Sequence, residues 1–265
     1  MSGNSGLLLL HTLDSVAVAA RRSSAVVPIS IQPKRLALLV YLALSPSRFC
    51  RRDRLVALFW PELDHQHARG ALRQAVRGLR RSLGAEAVVT HGEEEVGVAA
   101  DRLWCDAMAF EAEAVAGRLT EALELYRGDF LAGFFVDDAA PELEFWVDQT
   151  RTRLQSRARE AAGLLLEAAE QRGDHVGAVA WARRTMELVP DDERGVRRLI
   201  RLLDARGDRA GALDAYEAFR KQLSAGHGVE PSPETLELIA QVRSRTQRVW
   251  ESPLRGWPPG TPPAG

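Results

Sequence analysis

Short apolar runs open the chain: Leu7–Leu10, Val16–Ala20 and Val26–Ile31. Their lengths suit strands, with Arg21–Ser24 as a polar turn between two of them. After Pro33 the period changes. Leu36, Leu39, Val40, Leu42 and Ala43 recur at helical spacing. Pro33 suits the first turn of that helix, and Ser45-Pro46-Ser47 ends it. A second, short helix is expected near Arg52–Phe59, stopped by Pro61. Asp64 is placed to cap a third helix over 65–83, and Gly84 to stop it. Val88–Thr90 and Val96–Val98, around His91-Gly92-Glu93-Glu94-Glu95, form a hairpin pattern. Strands, three helices and a hairpin in that order are the layout of a winged helix-turn-helix with an N-terminal sheet.

From about Cys105 onward the pattern is almost wholly helical, and it repeats. Gly173-Asp174 recurs as Gly207-Asp208, and Gly177-Ala178 as Gly211-Ala212. Both offsets are 34 residues, the tetratricopeptide period. A weaker echo sets Ala122–Tyr126 against Ala212–Tyr216. Small residues such as Ala178 and Ala212 let paired helices approach closely, while Pro190 and Pro231 fall between helices. The stretch Ser252–Gly265 holds five prolines and three glycines and is expected to be disordered. The fold class is mainly α with small β. The expected division is a winged-helix DNA-binding domain over 1–104, a tetratricopeptide-like repeat domain over 105–250 and a tail over 251–265.

Composition narrows the function classes. Of the 265 residues 46% are hydrophobic but only 6% aromatic, so the cores rest on Leu, Ala and Val. No 18-residue apolar run is present, so no membrane partner is expected. Met1–Leu10 lacks a basic leader region, which points to a cytoplasmic location. Cys50 and Cys105 lack metal or redox spacing and suit two small buried thiols. The net charge of −1 hides an asymmetry. Residues 34–83 hold eleven bases (Lys34, Arg35, Arg48, Arg51, Arg52, Arg54, Arg69, Arg73, Arg77, Arg80 and Arg81) against three acids, Asp53, Glu62 and Asp64. Three acids cannot neutralise eleven bases locally, so the excess suits a polyanion.

The third helix concentrates that excess. At about 100° per residue, Gln66, Arg69, Arg73, Arg77 and Arg80 fall within an arc of about 80°. Ala68, Leu72, Ala75, Val76, Leu79 and Leu83 share the opposite side. The guanidinium fork matches phosphate and also pairs with guanine in the major groove, which admits an α-helix. Like charges at i,i+4 repel by a few tenths of a kcal/mol, and this helix has no acid to relieve them. Arg51, Arg52 and Arg54 open the second helix, where the dipole adds to their attraction for phosphate. The hairpin tip, Glu93–Glu95, is acidic, which is unusual for a wing lying on DNA.

The segment "PKRLALLVYLALSPSRFCRRDRLVALFWPELDHQHARGALRQAVRGLRRSLGA" resembles the DNA-binding domain of SARP-type (Streptomyces antibiotic regulatory protein) activators. "CDAMAFE", "YRGDFLAGFFV", "ELEFWVDQTRTRL", "RGDRAGALDAYEAFRKQL" and "GVEPSPET" resemble the bacterial transcriptional activator domain of the same proteins. Together the resemblance spans roughly residues 7–245. It implies an OmpR-like winged helix followed by tetratricopeptide-like helices. It implies double-stranded DNA as partner, bound at direct repeats that a homodimer would suit, and contact with RNA polymerase. Arg69, Arg73 and Arg77 would sit on the recognition helix, with Arg51 and Arg52 on the backbone.

Other constellations are weaker. His65 and His67 point about 160° apart on a helix, with no Cys nearby, so no metal is expected. Glu142, Glu144 and Asp148 suit the polar face of a helix that Phe145 and Trp146 anchor. No phosphate loop, nucleophile elbow or other catalytic constellation is present, so neither enzyme activity nor a cofactor is expected. Two other functions remain open at this point. One is a tetratricopeptide-type adaptor whose basic helix docks an acidic protein. The other is a ligand-sensing repressor, which shares the DNA step but not the polymerase contact.

Overall fold

A computed structural model describes residues 6–22 and 25–250. The segment 251–265, expected to be disordered, lies outside them. Two compact units divide at Ala161/Ala162.

The first unit begins with β1 (Leu7–His11), β2 (Ala17–Arg22) and β3 (Ala25–Ile29). These join β7 (Leu103–Cys105) in a sheet of order β3-β2-β1-β7. β1 runs antiparallel to β2 (Leu9↔Ala19) and parallel to β7 (Leu9↔Trp104). Leu8–Leu10 and Val18–Ala20 are buried together. Arg21 and Arg22 belong to β2 rather than to a turn, because they pair with Val26 and Ala25; Ser23 and Ser24 lie outside the described residues. Pro28 is tolerated on β3 because β3 is an edge strand.

Three helices follow as the sequence pattern predicts: α1 (Pro33–Leu44), α2 (Arg52–Phe59) and α3 (His65–Leu83). Leu38, Leu39, Leu42, Leu55, Phe59, Leu72 and Leu79 form their buried core. A second sheet, β4-β6-β5, backs them, built from β4 (Phe49–Arg51), β5 (Val88–His91) and β6 (Glu95–Val98). β4 passes so close to β6 that a Cβ on Gly97 would lie 2.4 Å from the Arg48 carbonyl oxygen.

Helices α4 (Asp106–Val115), α5 (Leu119–Leu125) and α6 (Pro141–Gln171) complete the unit, and α6 runs on past the division. The buried Asp106 carboxylate fastens α4 to β1. It accepts hydrogen bonds from Thr12 N–H (2.9 Å), Thr12 Oγ1 (2.6 Å), Leu13 N–H (3.1 Å) and Ala107 N–H (2.7 Å). The expected domain boundary at 104/105 falls inside β7. Trp146 of α6 packs at 4.7 Å on Tyr41 of α1 and at 5.9 Å on Phe130. Phe145, expected to anchor α6 with it, is 63% exposed, so Trp146 anchors the helix without it.

The second unit continues α6 with α7 (His175–Leu188), α8 (Glu193–Ala205), α9 (Arg209–His227) and α10 (Pro233–Trp250). The 34-residue echo is a repeated hinge. Gly173 and Gly207 take positive φ (69° and 79°), the conformation that lets glycine end a helix. Asp174 and Asp208 then cap the next helix, accepting from Gly177 N–H (2.8 Å) and Gly211 N–H (2.9 Å). Ala178 and Ala212 are fully buried, joining Leu166, Ile200, Leu203 and Phe219 in one core.

Candidate nucleic-acid interface

Asp64 starts the interface helix. Its Oδ1 accepts from Gln66 N–H (3.0 Å) and His67 N–H (3.1 Å), and Oδ2 lies 2.6 Å from His67 Nδ1. The backbone bond from His67 leads the contacts that hold this carboxyl below its ordinary range. The helix ends where Gly84 turns to φ 102°. Ala68, Leu72, Ala75, Val76 and Leu79 face the core, while Gln66, Arg69, Arg73 and Arg77 are exposed. The exposed row is therefore present as the helical arc predicts.

Arg80 departs from the row. It is half-buried, and its Nε donates to the Val88 carbonyl (2.9 Å), which joins α3 to the hairpin. Arg69 donates Nη2 to Asp53 at 2.9 Å. That bond is the main reason the Asp53 carboxyl sits below its ordinary range. Arg73 and Arg77 form no hydrogen bond or ion pair within the protein among the described residues.

The start of α2 meets this row. Arg52 is half-buried, and its Nε is buried with no hydrogen-bond partner among the described residues. Burial lowers its pKa, and the charges of Arg80, Arg69 and Arg73 lower it further, with Glu93 acting in the opposite direction. Arg52, Arg69, Arg73 and Arg80 thus form one concentrated positive patch. Arg51 is exposed and pairs with Glu94 at 3.3 Å, while Arg52 N–H donates to the Glu94 carbonyl at 2.8 Å. The acidic hairpin tip is therefore turned onto the head of α2. Arg54 is exposed but lies over the Tyr41 ring at 6.0 Å, apart from the patch.

Sequence reasoning missed two partners. Asp53 was counted only as bulk charge and Glu94 only as part of the acidic hairpin tip, yet each pairs with one of the expected DNA contacts, Arg69 and Arg51. The one available signal was Asp53 itself, set within Arg51-Arg52-Asp53-Arg54. His65 lies 3.9 Å from Asp53, and among the described residues no group of three or more His, Cys, Asp and Glu is placed to hold a metal. Asp148 pairs with Arg151 at 2.7 Å. Cys105 is buried, and that burial, with Asp106 beside it, pushes its thiol up to about 11. Among the described residues no helix is long and apolar enough to cross a membrane.

Comparison with known proteins fits this architecture. The family model described as the bacterial transcriptional activator domain matches residues 98–243, more than half of the chain. The model described as transcriptional regulatory protein, C terminal, matches residues 27–96. Among solved structures, Mycobacterium tuberculosis EmbR, solved in complex with a low-affinity phosphopeptide, has a similar fold. It is 20% identical with a TM-score of 0.56, covering 91% of this chain and 66% of its own. This chain thus spans just under two thirds of that protein's length. A structure of MamA from AMB-1 is 18% identical over 56% of this chain and 84% of its own, with a TM-score of 0.28. No curated protein sequence matches. With a winged helix carrying an exposed arginine row and the matched helical domain after it in sequence, the chain belongs to the bacterial transcriptional activator domain family and has the domain order of the SARP-type regulators.

Proposed function

We propose that α3 enters the major groove with Gln66, Arg69, Arg73 and Arg77 facing the bases, while Arg51 and Arg52 hold phosphates beside it. The observation that carries this is the positive patch around Arg52, next to Arg73 and Arg77, which have no partner among the described residues. A half-buried guanidinium whose Nε has no hydrogen-bond partner among the described residues, with Arg69, Arg73 and Arg80 nearby and only Glu93 to offset them, is costly in the free protein, and a phosphate relieves it. Arg80, on α3 and tied to the hairpin through Val88, supports the patch, and Arg54 contacts the flanking backbone. The second unit contacts RNA polymerase through its groove of about 360 Å³, walled by Met186, Val196, Leu199 and Phe219.

Duplex binding by the full chain tests the first half. Neutralising about five phosphates gives a log–log salt slope near −4.5. Arg73→Ala should cost about 1–3 kcal/mol against a specific site and relax its sequence preference, whereas Arg51→Ala should weaken all duplexes alike. Unchanged binding after removing both Arg69 and Arg73 would falsify the recognition-helix assignment, and binding to acidic proteins in place of DNA would favour an adaptor. For the second half, Ala218→Glu at the edge of the groove should lower activated transcription by purified polymerase while leaving DNA affinity intact.

A further inference from the structure

A cavity of about 200 Å³ opens in the first unit between α1, the segment 131–140 and the start of α6. Leu131, Phe134, Leu143 and Trp146 wall it, and Phe135, 82% exposed, stands at its mouth. We propose that this cavity binds a small ligand made of an aromatic-ring-sized apolar body and a protonated amine. The proposal stands apart from the DNA-binding assignment.

Size sets the apolar part. A dry apolar cavity of about 150 Å³ accepts a benzene ring, so this one holds a ring and leaves room for a short tail. Charge sets the other part. Residues 131–151 carry five acids (Asp137, Asp138, Glu142, Glu144 and Asp148) and one base, Arg151. Glu144, Asp148 and Arg151 line the cavity. Arg151 is occupied: Nη1 donates to Asp148 (2.7 Å) and Nε to the Phe130 carbonyl (3.1 Å). Glu144 has no hydrogen bond or ion pair among the described residues, which leaves a carboxylate free at the edge of an aromatic wall. The Trp146 ring adds a face that attracts cations. Acids in the first turn of α6 also favour its dipole, so the test separates charge from shape.

The walls are held in place. Leu131 and Asp138 adopt positive φ (51° and 52°), which non-glycine residues rarely do. Leu131 N–H donates to the Thr12 carbonyl (2.9 Å), Ala140 N–H to the Leu58 carbonyl (2.9 Å), and Lys34 Nζ to the Asp138 carbonyl (3.2 Å). The cavity also sits next to α1, which touches α2. Trp146 packs on Tyr41, and Tyr41 in turn holds Arg54 of α2.

Calorimetric titration of the full chain with 2-phenylethylamine, and with 3-phenylpropionate as the anionic counterpart, tests the proposal. The amine should bind one to one with a Kd of about 1 mM or tighter, and the carboxylate about fivefold more weakly or not at all. Glu144→Gln should weaken the amine about threefold without weakening the carboxylate. Ala139→Phe fills the cavity and should abolish uptake. Equal binding of both probes, absence of saturation, or uptake that survives Ala139→Phe in a chain with a native circular dichroism spectrum would each overturn the proposal. If Ala139→Phe does not fold, an unchanged amine affinity in Glu144→Gln overturns it. Self-association that Ala139→Phe removes, with no amine uptake, would assign the cavity to a second copy of the chain instead.

Discussion

Replacing Glu94 by Gln should tighten binding to DNA. In the free protein Glu94 lies 3.3 Å from Arg51, with the two side chains 75% and 64% exposed. A pair this open to water contributes about 0.2–1 kcal/mol. Arg51 must give up that partner to hold a phosphate, and the carboxylate then stays within the screening length of about 8 Å of the anion. Gln removes both penalties and keeps the shape. It also keeps the backbone, because Arg52 N–H donates to the Glu94 carbonyl rather than to its side chain. The expected gain is about 1.5- to 5-fold in affinity, with a salt slope steeper by up to about 0.9. Fluorescence anisotropy with a labelled mixed-sequence duplex at several salt concentrations measures both, since backbone contacts do not depend on sequence. In an Arg51→Ala background the gain should largely vanish. Thermal stability should stay within about 0.5 kcal/mol, as for other exposed positions. Affinity and slope that are unchanged or reduced in Glu94→Gln would refute the idea that the hairpin tip masks a phosphate contact.

Two glycines should respond in opposite directions, measured by denaturant unfolding. Gly70 lies inside α3, and a Cβ there meets nothing nearer than the Arg73 guanidinium at 3.9 Å; Gly70→Ala should stabilise by about 0.5–1 kcal/mol. A Cβ on Gly97 would lie 2.4 Å from the Arg48 carbonyl oxygen and 2.6 Å from the Phe49 ring; Gly97→Ala should destabilise by about 1–3 kcal/mol, and a neutral result would mean that β4 is not held there. Burial alone would raise the pKa of Glu193, but hydrogen bonds from Ser232 and Thr235, with Arg197 nearby, hold it below its ordinary 4.5. A folded value below the unfolded one adds stability that is complete above 4.5 and fades as pH falls through the folded value. Glu193→Gln should therefore flatten the acid limb of the stability curve, and an unaltered slope below pH 4.5 would refute this.

The elements legible in the sequence were those whose signals are local. Pro33, Asp64 and Gly84 bracket helices by backbone chemistry that acts within one turn, and the Gly-Asp hinges of the second unit work the same way. β4 and β7 escaped notice because three residues have no period. Each is a strand only because a distant partner completes its ladder: Cys50 meets Val96, and Trp104 meets Leu9. The site divides along the same line. The helical arc places Gln66, Arg69, Arg73 and Arg77 on one exposed face. That arc has no means of showing that Arg80 bends back to Val88, that Arg69 meets Asp53 sixteen residues earlier in the chain, or that the hairpin tip folds onto Arg51. Those contacts depend on how separate elements cross. Asp106 shows the limit most plainly: "CDAMAFE" marks the start of a helix, yet the carboxylate's partners are at Thr12 and Leu13.

That tie has a consequence for how the chain is made. β1 leaves the ribosome early, but its parallel neighbour β7 and the Asp106 carboxylate come some ninety residues later. At about 5–20 residues per second, β1 waits roughly 5–20 s for them. In that interval Thr12 has neither its amide partner nor its hydroxyl partner, and the apolar face of Leu8–Leu10 lacks one neighbouring strand. A nascent chain therefore cannot finish its N-terminal sheet until synthesis has entered the region matched by the activator-domain model. Premature termination before Asp106 should yield a product that is cleared rather than a free DNA-binding fragment. Translation order thus leaves the N-terminal sheet open until its last strand has been made.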